Sequence, residues 1–162
     1  MVRTASTNDA EAIATIYNHY VMSTVVTFEE EPVSVADMAR RMEDVFGSAL
    51  PWLVAEDADG RVTGYAYATK WKVRAAYRYS VETTVYLADN LGGKGVGTQL
   101  YTELFRRLKE QGIHAAIGGI ALPNAASVAL HEKFGMRKVA HFEEVGFKFG
   151  RWVDVGYWEV TF

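Results

Sequence analysis

The sequence contains no cysteine, so it has neither a disulfide framework nor a thiolate for chemistry. It also lacks an excess of positive charge, because 17 Lys and Arg against 20 Asp and Glu give a net charge of -3. Nucleic-acid binding needs a basic surface that displaces counterions, so we expect no such partner. No apolar run is long enough for a membrane and no signal pattern begins the chain, so we expect a cytoplasmic protein without a membrane partner.

A metal site is not predicted either. The four histidines are scattered along the chain and lack the spacing of metal ligands: His19, His114, His131 and His141. What the chain does have is apolar material, with 49% hydrophobic and 13% aromatic residues in 162. This length and composition predict one domain, residues 1–162, with a substantial core.

Hydrophobic spacing and capping residues predict eleven elements. We expect strands at 2–5, 52–55, 62–69, 80–87, 115–120, about 138–143 and about 152–160, the last two around the glycines at 146 and 150. We expect helices from a cap at 7–9 to 22, at 35–46, from the glycine loop to 112, and from a cap at 124 to 134. This order predicts an α/β fold with a mixed sheet and helices on both faces.

A glycine-rich loop links a strand to a long helix over Val85–Thr98. Its four glycines and Lys94 favour a phosphate site, because bare amides and a helix N-terminus attract anions. A P-loop is excluded because Gly95 follows the lysine, and a dinucleotide fingerprint is excluded by its late position and missing carboxylate. The alternatives left are a pyrophosphate loop of another kind and an ordinary strand–turn–helix connection.

The strand before this loop alternates, with Val81, Thr83, Val85 and Leu87 on one face and Glu82, Thr84 and Tyr86 on the other. The segment before that strand is rich in cations. Lys72 and Arg74 lie two residues apart, so they can point the same way and bind a small anion. The alternative is a cationic surface loop.

Three stretches carry a resemblance to the GNAT superfamily of N-acetyltransferases across essentially the whole chain: Leu87–Thr98, Asn124–Ser127 and Leu130–Met136. The segments Trp71–Arg74, Val81–Tyr86 and Gly146–Val155, with Tyr77, resemble phosphinothricin and methionine-sulfoximine acetyltransferases more closely. The resemblance implies a largely antiparallel sheet in which two neighbouring parallel strands splay to hold acetyl-CoA. It also implies a homodimer, through the tail around Lys148, Arg151 and Trp152.

By position, the resemblance assigns ten residues to acetyl-CoA. The pantetheine arm would meet Val85, Tyr86 and Leu87, the pyrophosphate would meet Gly93, Lys94, Gly95, Val96, Gly97 and Thr98, and Asn124 would bind near the thioester. The family's loop usually opens with Gln or Arg, whereas here it opens with glycine. Since backbone amides need no side chain, we expect looser binding rather than its loss.

The resemblance makes Glu82 the candidate base and His131 a second catalytic residue. Burial or a water relay must help Glu82, because an unperturbed glutamate is a poor base for an ammonium. His131 stands where many members carry a tyrosine, and it can act as the acid or share the base role. The alternatives are a strand carboxylate paired with Lys72 or Arg74, and a histidine that packs against the sheet.

The closer family implies an acceptor site for a small anionic amino acid or its analogue. Its residues would be Phe28, Lys72, Val73, Arg74, Tyr77, Glu82, Thr83 and Thr84, although Phe28 and Tyr77 equally suit a core. Two alternatives stay open: acetylation of another small amine or a protein N-terminus, and an acyl-CoA sensor without catalysis. Cationic Lys72 and Arg74 would repel polycationic acceptors.

Overall fold

A seven-stranded sheet in the order β1-β2-β3-β4-β5-β7-β6 organises the computed structural model, which describes all 162 residues. Its strands are β1 (Val2–Thr4), β2 (Trp52–Glu56), β3 (Val62–Lys70), β4 (Ser80–Leu87), β5 (Ala115–Leu122), β6 (Arg137–Lys148) and β7 (Arg151–Thr161). Every neighbouring pair is antiparallel except β4 and β5, which are parallel. The predicted mixed, largely antiparallel sheet is therefore confirmed.

Helices cover both faces of the sheet, as the sequence predicts. They are α1 (Ala10–Ser23), α2 (Val35–Gly47), α3 (Val96–Glu110) and α4 (Ala125–Lys133). The helices α1 and α2 bury Ile13 and Met42 against Trp52 and Tyr65 on one face. The helix α3 buries Leu104 against the other face, where residues of α4 also pack. None of these helices combines the length and apolarity that crossing a membrane requires.

Two regions differ from the sequence-based boundaries. The first turn, Thr7–Asp9, is a 3-10 helix, because the Asp9 carboxylate accepts from the Ser6 amide and pairs with Arg3. The last two strands are longer than predicted, since their pairing continues to Lys148↔Arg151 around a tight turn. Gly146 lies inside β6 and not in a loop, because it pairs with Val153 of β7. The Phe28 ring occupies the space where a β-carbon at this position would stand.

The two parallel strands separate after three residue pairs. β4 and β5 pair only from Ser80↔Ala115 to Glu82↔Ile117, although β4 continues to Leu87 and β5 to Leu122. Beyond Glu82, β4 keeps its pairing with β3 but has no strand on its other side. The splayed strands expected from the resemblance are present, and they leave backbone groups facing a gap.

Candidate active site

A cavity of about 280 Å³ opens where β4 and β5 separate. It is lined by Glu82–Tyr86 of β4, Gly119–Ala121 of β5, Tyr101 of α3, Asn124, Ser127 and His131 of α4, Val155 and Tyr157 of β7, and Val26–Phe28 of the α1–α2 connection. The predicted residues Glu82, Thr83, Thr84, Val85, Tyr86, Asn124, His131 and Phe28 therefore converge on one space. No group of three His, Cys, Asp or Glu residues converges anywhere in the structure.

Glu82 reaches this cavity from the face of the sheet that α1 and α2 cover. Burial raises the pKa of its carboxyl group, and the positive charge of Lys72 partly opposes that rise. No lysine or arginine lies within salt-bridge distance, so the carboxylate is not paired. A partly buried, unpaired carboxylate with a raised pKa is suited to accept a proton.

His131 reaches the cavity from the opposite face and is only 3% exposed. Its Nδ1–H donates to the Ser127 carbonyl at 2.7 Å, since a carbonyl only accepts. Its Nε2 lies 3.1 Å from the Tyr101 hydroxyl. Burial lowers the pKa of His131, against the effect of the Ser127 carbonyl. The ring is therefore held neutral, with Nε2 as the acceptor.

Two consecutive glycines in β5 let these side chains approach the backbone from opposite faces. A β-carbon at Gly118 would lie 2.5 Å from His131 Nε2, which is too close for the ring to stay. A β-carbon at Gly119 would lie 3.1 Å from the Tyr157 ring and 3.6 Å from Glu82 Oε1. Glycines inside a strand mark such close approaches, so this signal was present in the sequence.

The glycine-rich loop leads from the end of β4 to the N-terminus of α3. Gly93 and Gly95 have φ values of 77° and 82°, which favour glycine. Gly95 is the N-cap of α3 and no side chain caps this helix, so its first amides lack intrahelical or capping partners. Gly97 instead packs on Leu130 of α4. The loop thus presents backbone N–H groups near the open side of the gap.

The remaining residues predicted for the cofactor lie along the gap. Val85 and Tyr86 line the cavity, whereas Leu87 lies at the end of β4 and its carbonyl accepts from the Tyr20 hydroxyl at 2.7 Å. Asn124 caps α4 by accepting the Ser127 amide at 3.1 Å through Oδ1. This use of Oδ1 leaves the Asn124 amide nitrogen as a donor beside the cavity.

The cationic segment before β4 lies outside the cavity wall, and its first residues, Trp71 and Lys72, reach the rim beside Tyr157 and Glu82. Lys72, Val73, Arg74 and Tyr77 do not line the cavity, and Val73 is 96% exposed. The Lys72 ammonium lies 4.8 Å from the centre of the Trp71 ring, and Trp71 packs edge-on against Tyr157. Of these four predicted residues, Lys72 alone acts on the site through its charge on Glu82.

Sequence reasoning missed several cavity residues, of which Tyr101 and Tyr157 matter most. Tyr101 follows Leu100 in the apolar stripe of α3. The one hint in the sequence that it has a role beyond packing is that it carries a hydroxyl group among leucines. Tyr157 is next to the buried Trp158 in β7, so its side chain could be predicted to lie on the opposite face of the strand. Its position beside Glu82 could not be predicted. Strand order alone brings β7 next to β5.

Comparisons with known proteins agree with this geometry. The chain matches the family model described as the acetyltransferase (GNAT) domain over residues 2–156. It is 39% identical over 171 residues to a phosphinothricin N-acetyltransferase of Streptomyces coelicolor, covering 98% of this chain and 94% of that one. It is 36% identical to an L-methionine sulfoximine/L-methionine sulfone acetyltransferase of Pseudomonas aeruginosa, covering 99% and 93%.

The fold comparison gives the same result. A phosphinothricin acetyltransferase from Sinorhizobium meliloti, solved in complex with acetyl-CoA, superposes with a TM-score of 0.96 at 37% identity, covering 99% of this chain and 87% of that one. The chain therefore belongs to the acetyltransferase (GNAT) family and is an N-acetyltransferase.

Proposed function

We propose that residues 1–162 form one cytoplasmic acetyltransferase domain that moves acetyl from acetyl-CoA to the α-amine of a small anionic amino acid or its analogue. Phosphinothricin and methionine sulfoximine are the acceptors that its relatives' names suggest. The observation that carries the proposal is the gap between β4 and β5, with Glu82 on one side and His131 on the other. Amine and thioester meet there for direct attack in a ternary complex, and their alignment supplies much of the rate.

The gap fits acetyl-CoA because its unpaired backbone suits an amide-bearing chain. Val85, Tyr86 and Leu87 would pair with the pantetheine arm from the free side of β4. The amides of Gly93, Lys94, Gly95, Val96, Gly97 and Thr98 would hold the pyrophosphate at the uncapped start of α3. Asn124 would donate its amide near the thioester. A backbone N–H of the Val85–Tyr86 segment is then placed to stabilise the developing oxyanion.

Glu82 takes the proton from the amine, directly or through one water. As the amine nitrogen bonds to the acetyl carbon the C–S bond breaks, and coenzyme A would leave as a thiolate that takes a proton from solvent. Its raised pKa brings the carboxylate closer to the amine in basicity than an exposed glutamate would be. For His131, the Nδ1–H is occupied by the Ser127 carbonyl and Nε2 faces the Tyr101 hydroxyl, so a share in proton transfer would run through that hydroxyl and not directly to the amine. The Tyr101 hydroxyl lies between this Nε2 and the hydroxyl of Thr83.

The acceptor enters from the rim, where the cations lie. Its carboxylate and anionic group would face Lys72 and Arg74, while its amine faces Glu82. Thr83, Thr84 and Phe28 line the space between them, and Val73 and Tyr77 belong to the same rim segment. A polycation would meet like charge at this rim, so the charge distribution favours anionic acceptors.

Free-thiol release from acetyl-CoA, measured against a panel of acceptors, tests the proposal. We expect turnover with phosphinothricin, methionine sulfoximine or anionic amino acids, and little with spermidine, an aminoglycoside or an N-terminal peptide. Turnover confined to those last three would overturn the acceptor class. Binding of acetyl-CoA without turnover of any acceptor would favour the sensor.

Replacing the base separates binding from chemistry. We expect Glu82→Gln to lower kcat/KM about 10²- to 10⁴-fold, because general base catalysis contributes on this scale, with acetyl-CoA affinity unchanged. In the wild type, activity should fall as the pH drops through the raised pKa of Glu82, and the variant should lose that dependence. Glu159→Gln, on β7, is the matched control. Unchanged turnover in Glu82→Gln would disprove the assignment.

Gly118→Ala tests the placement of His131 without touching its chemistry. The added β-carbon would meet Nε2 at 2.5 Å and push the imidazole away from Tyr101. A displacement of about 1 Å is expected to lower kcat about 100-fold. Steady-state kinetics should show this loss while circular dichroism shows a folded protein. Gly47→Ala, with open space around its β-carbon, should be neutral.

We also propose that the chain forms a homodimer through the β6–β7 hairpin. Five large apolar side chains there are more than half exposed: Phe142, Val145, Phe147, Phe149 and Trp152. Phe147 and Trp152 pack on each other across the two strands. Exposed large apolar side chains in this number are typical of an interface, and homodimers are the commonest assemblies.

Light scattering coupled to gel filtration tests the dimer. We expect a dimer for the wild type and a monomer for Trp152→Glu combined with Phe147→Glu, because two charges in an apolar contact oppose association. Met22→Glu, which changes a residue 55% exposed on α1, should stay dimeric. A monomeric wild type would rule out this assembly.

A further inference from the structure

The connection between α1 and α2, residues 24–34, forms one wall of the cavity although it has no regular structure. We call it the acceptor loop. Its residues Val26, Thr27 and Phe28 line the cavity. Asn18 ties down its far end through two hydrogen bonds with the backbone of Val33, of 2.8 and 2.9 Å. The cavity-lining part lies well before that point, so other contacts must fix it.

Thr27 is held at both of its polar ends. Its hydroxyl is 2.7 Å from the Tyr17 hydroxyl on α1. Its carbonyl accepts from Lys148 Nζ at 2.8 Å. The next residue, Phe28, lays its ring on Gly146. The last inward-facing residues of β6, Gly146 and Lys148, therefore contact two consecutive residues of the cavity wall.

Lys148 is unusual among the lysines because its side chain is buried, with 1% exposure. No carboxylate lies within salt-bridge distance of its ammonium group, and Glu29 and Glu30 act on it only from farther away. Burying an ammonium whose one protein acceptor is a carbonyl is costly, and an apolar residue of similar length would avoid that cost. Such a replacement would lose the hydrogen bond to Thr27 and the contact of the ammonium with the Phe149 ring, whose centre lies 5.1 Å away.

We propose that Lys148 is a positioning residue for the acceptor, which holds the Val26–Phe28 wall in place through the Thr27 carbonyl. It touches neither the reacting atoms nor the residues proposed for acetyl-CoA. Loss of the bond should loosen the wall that the acceptor meets and leave the gap between β4 and β5 intact. The identity of the acceptor rests on the proposed function, whereas the hold on the loop does not.

The kinetic test uses Lys148→Met in the full-length protein. We expect KM for the acceptor to rise about tenfold, because a charged hydrogen bond that positions the wall is lost. The values of kcat and of Kd for acetyl-CoA should stay within about twofold of the wild type. Lys148→Arg, which keeps a donor, should restore most of the affinity. Lys138→Met, an exposed lysine of the same strand, is the matched control.

Hydrogen exchange tests the loop without any substrate. Amides of residues 26–29 should exchange about tenfold faster in Lys148→Met than in the wild type, with those of β4 and β5 unchanged. Tyr17→Phe removes the other hold on Thr27 and should loosen the same amides, which gives a second test if Lys148→Met does not fold. Unchanged exchange in a folded Lys148→Met, or an equal loss of kcat and acetyl-CoA affinity, would overturn the inference. If the wild type acetylates no acceptor, the proposed function fails, but the hydrogen-exchange result still decides whether Lys148 holds the loop in place.

Discussion

The site depends on the loss of backbone pairing between β4 and β5. Two parallel strands that run on for five residues beyond their last pair leave N–H and C=O groups facing each other across a gap. Buried backbone groups need partners, so the gap is suited to a ligand that can form hydrogen bonds along the strands. The N-terminus of α3 opens near the same end of β4, without a capping side chain. Backbone geometry therefore supplies most of what an amide-rich, phosphate-bearing ligand requires.

Side chains then complete the site from two faces of the sheet. Alternation along β4 directs Glu82 to the α1–α2 face and Thr83 to the α3–α4 face, where Tyr101 and His131 lie. Only because the strands have parted do both sets reach one cavity. The missing side chains at Gly118 and Gly119 are as necessary as the side chains present.

Features with a local cause could be predicted from the sequence. The alternation of side chains along β4 predicts the face of the sheet on which Glu82 lies. The capping of α4 by Asn124 is also local, because its side-chain oxygen accepts an amide of the first turn of the helix. Features set by distant pairing could not. The length of the β4–β5 pairing, the place of Tyr157 beside Glu82 and the hold of Lys148 on Thr27 join residues far apart in the chain. The position of Lys72 at the rim likewise depends on how Trp71 packs against Tyr157, and the two-residue spacing of Lys72 and Arg74 does not predict that contact.

At Gly118 and Gly119 no β-carbon separates the side chains of the two faces from the backbone of β5, so His131 and Glu82 lie against the same short stretch of the strand. Burial is the main cause that raises the pKa of Tyr101, and the hydrogen bond with Thr83 opposes it. The negative charge of Glu82, on the other face of the sheet, raises this pKa further. Burial and the Glu82 charge both favour the protonated form of Tyr101, so its hydroxyl keeps its proton beside Thr83 and His131. The pair of glycines thus brings groups from both faces of the sheet within electrostatic reach of one another.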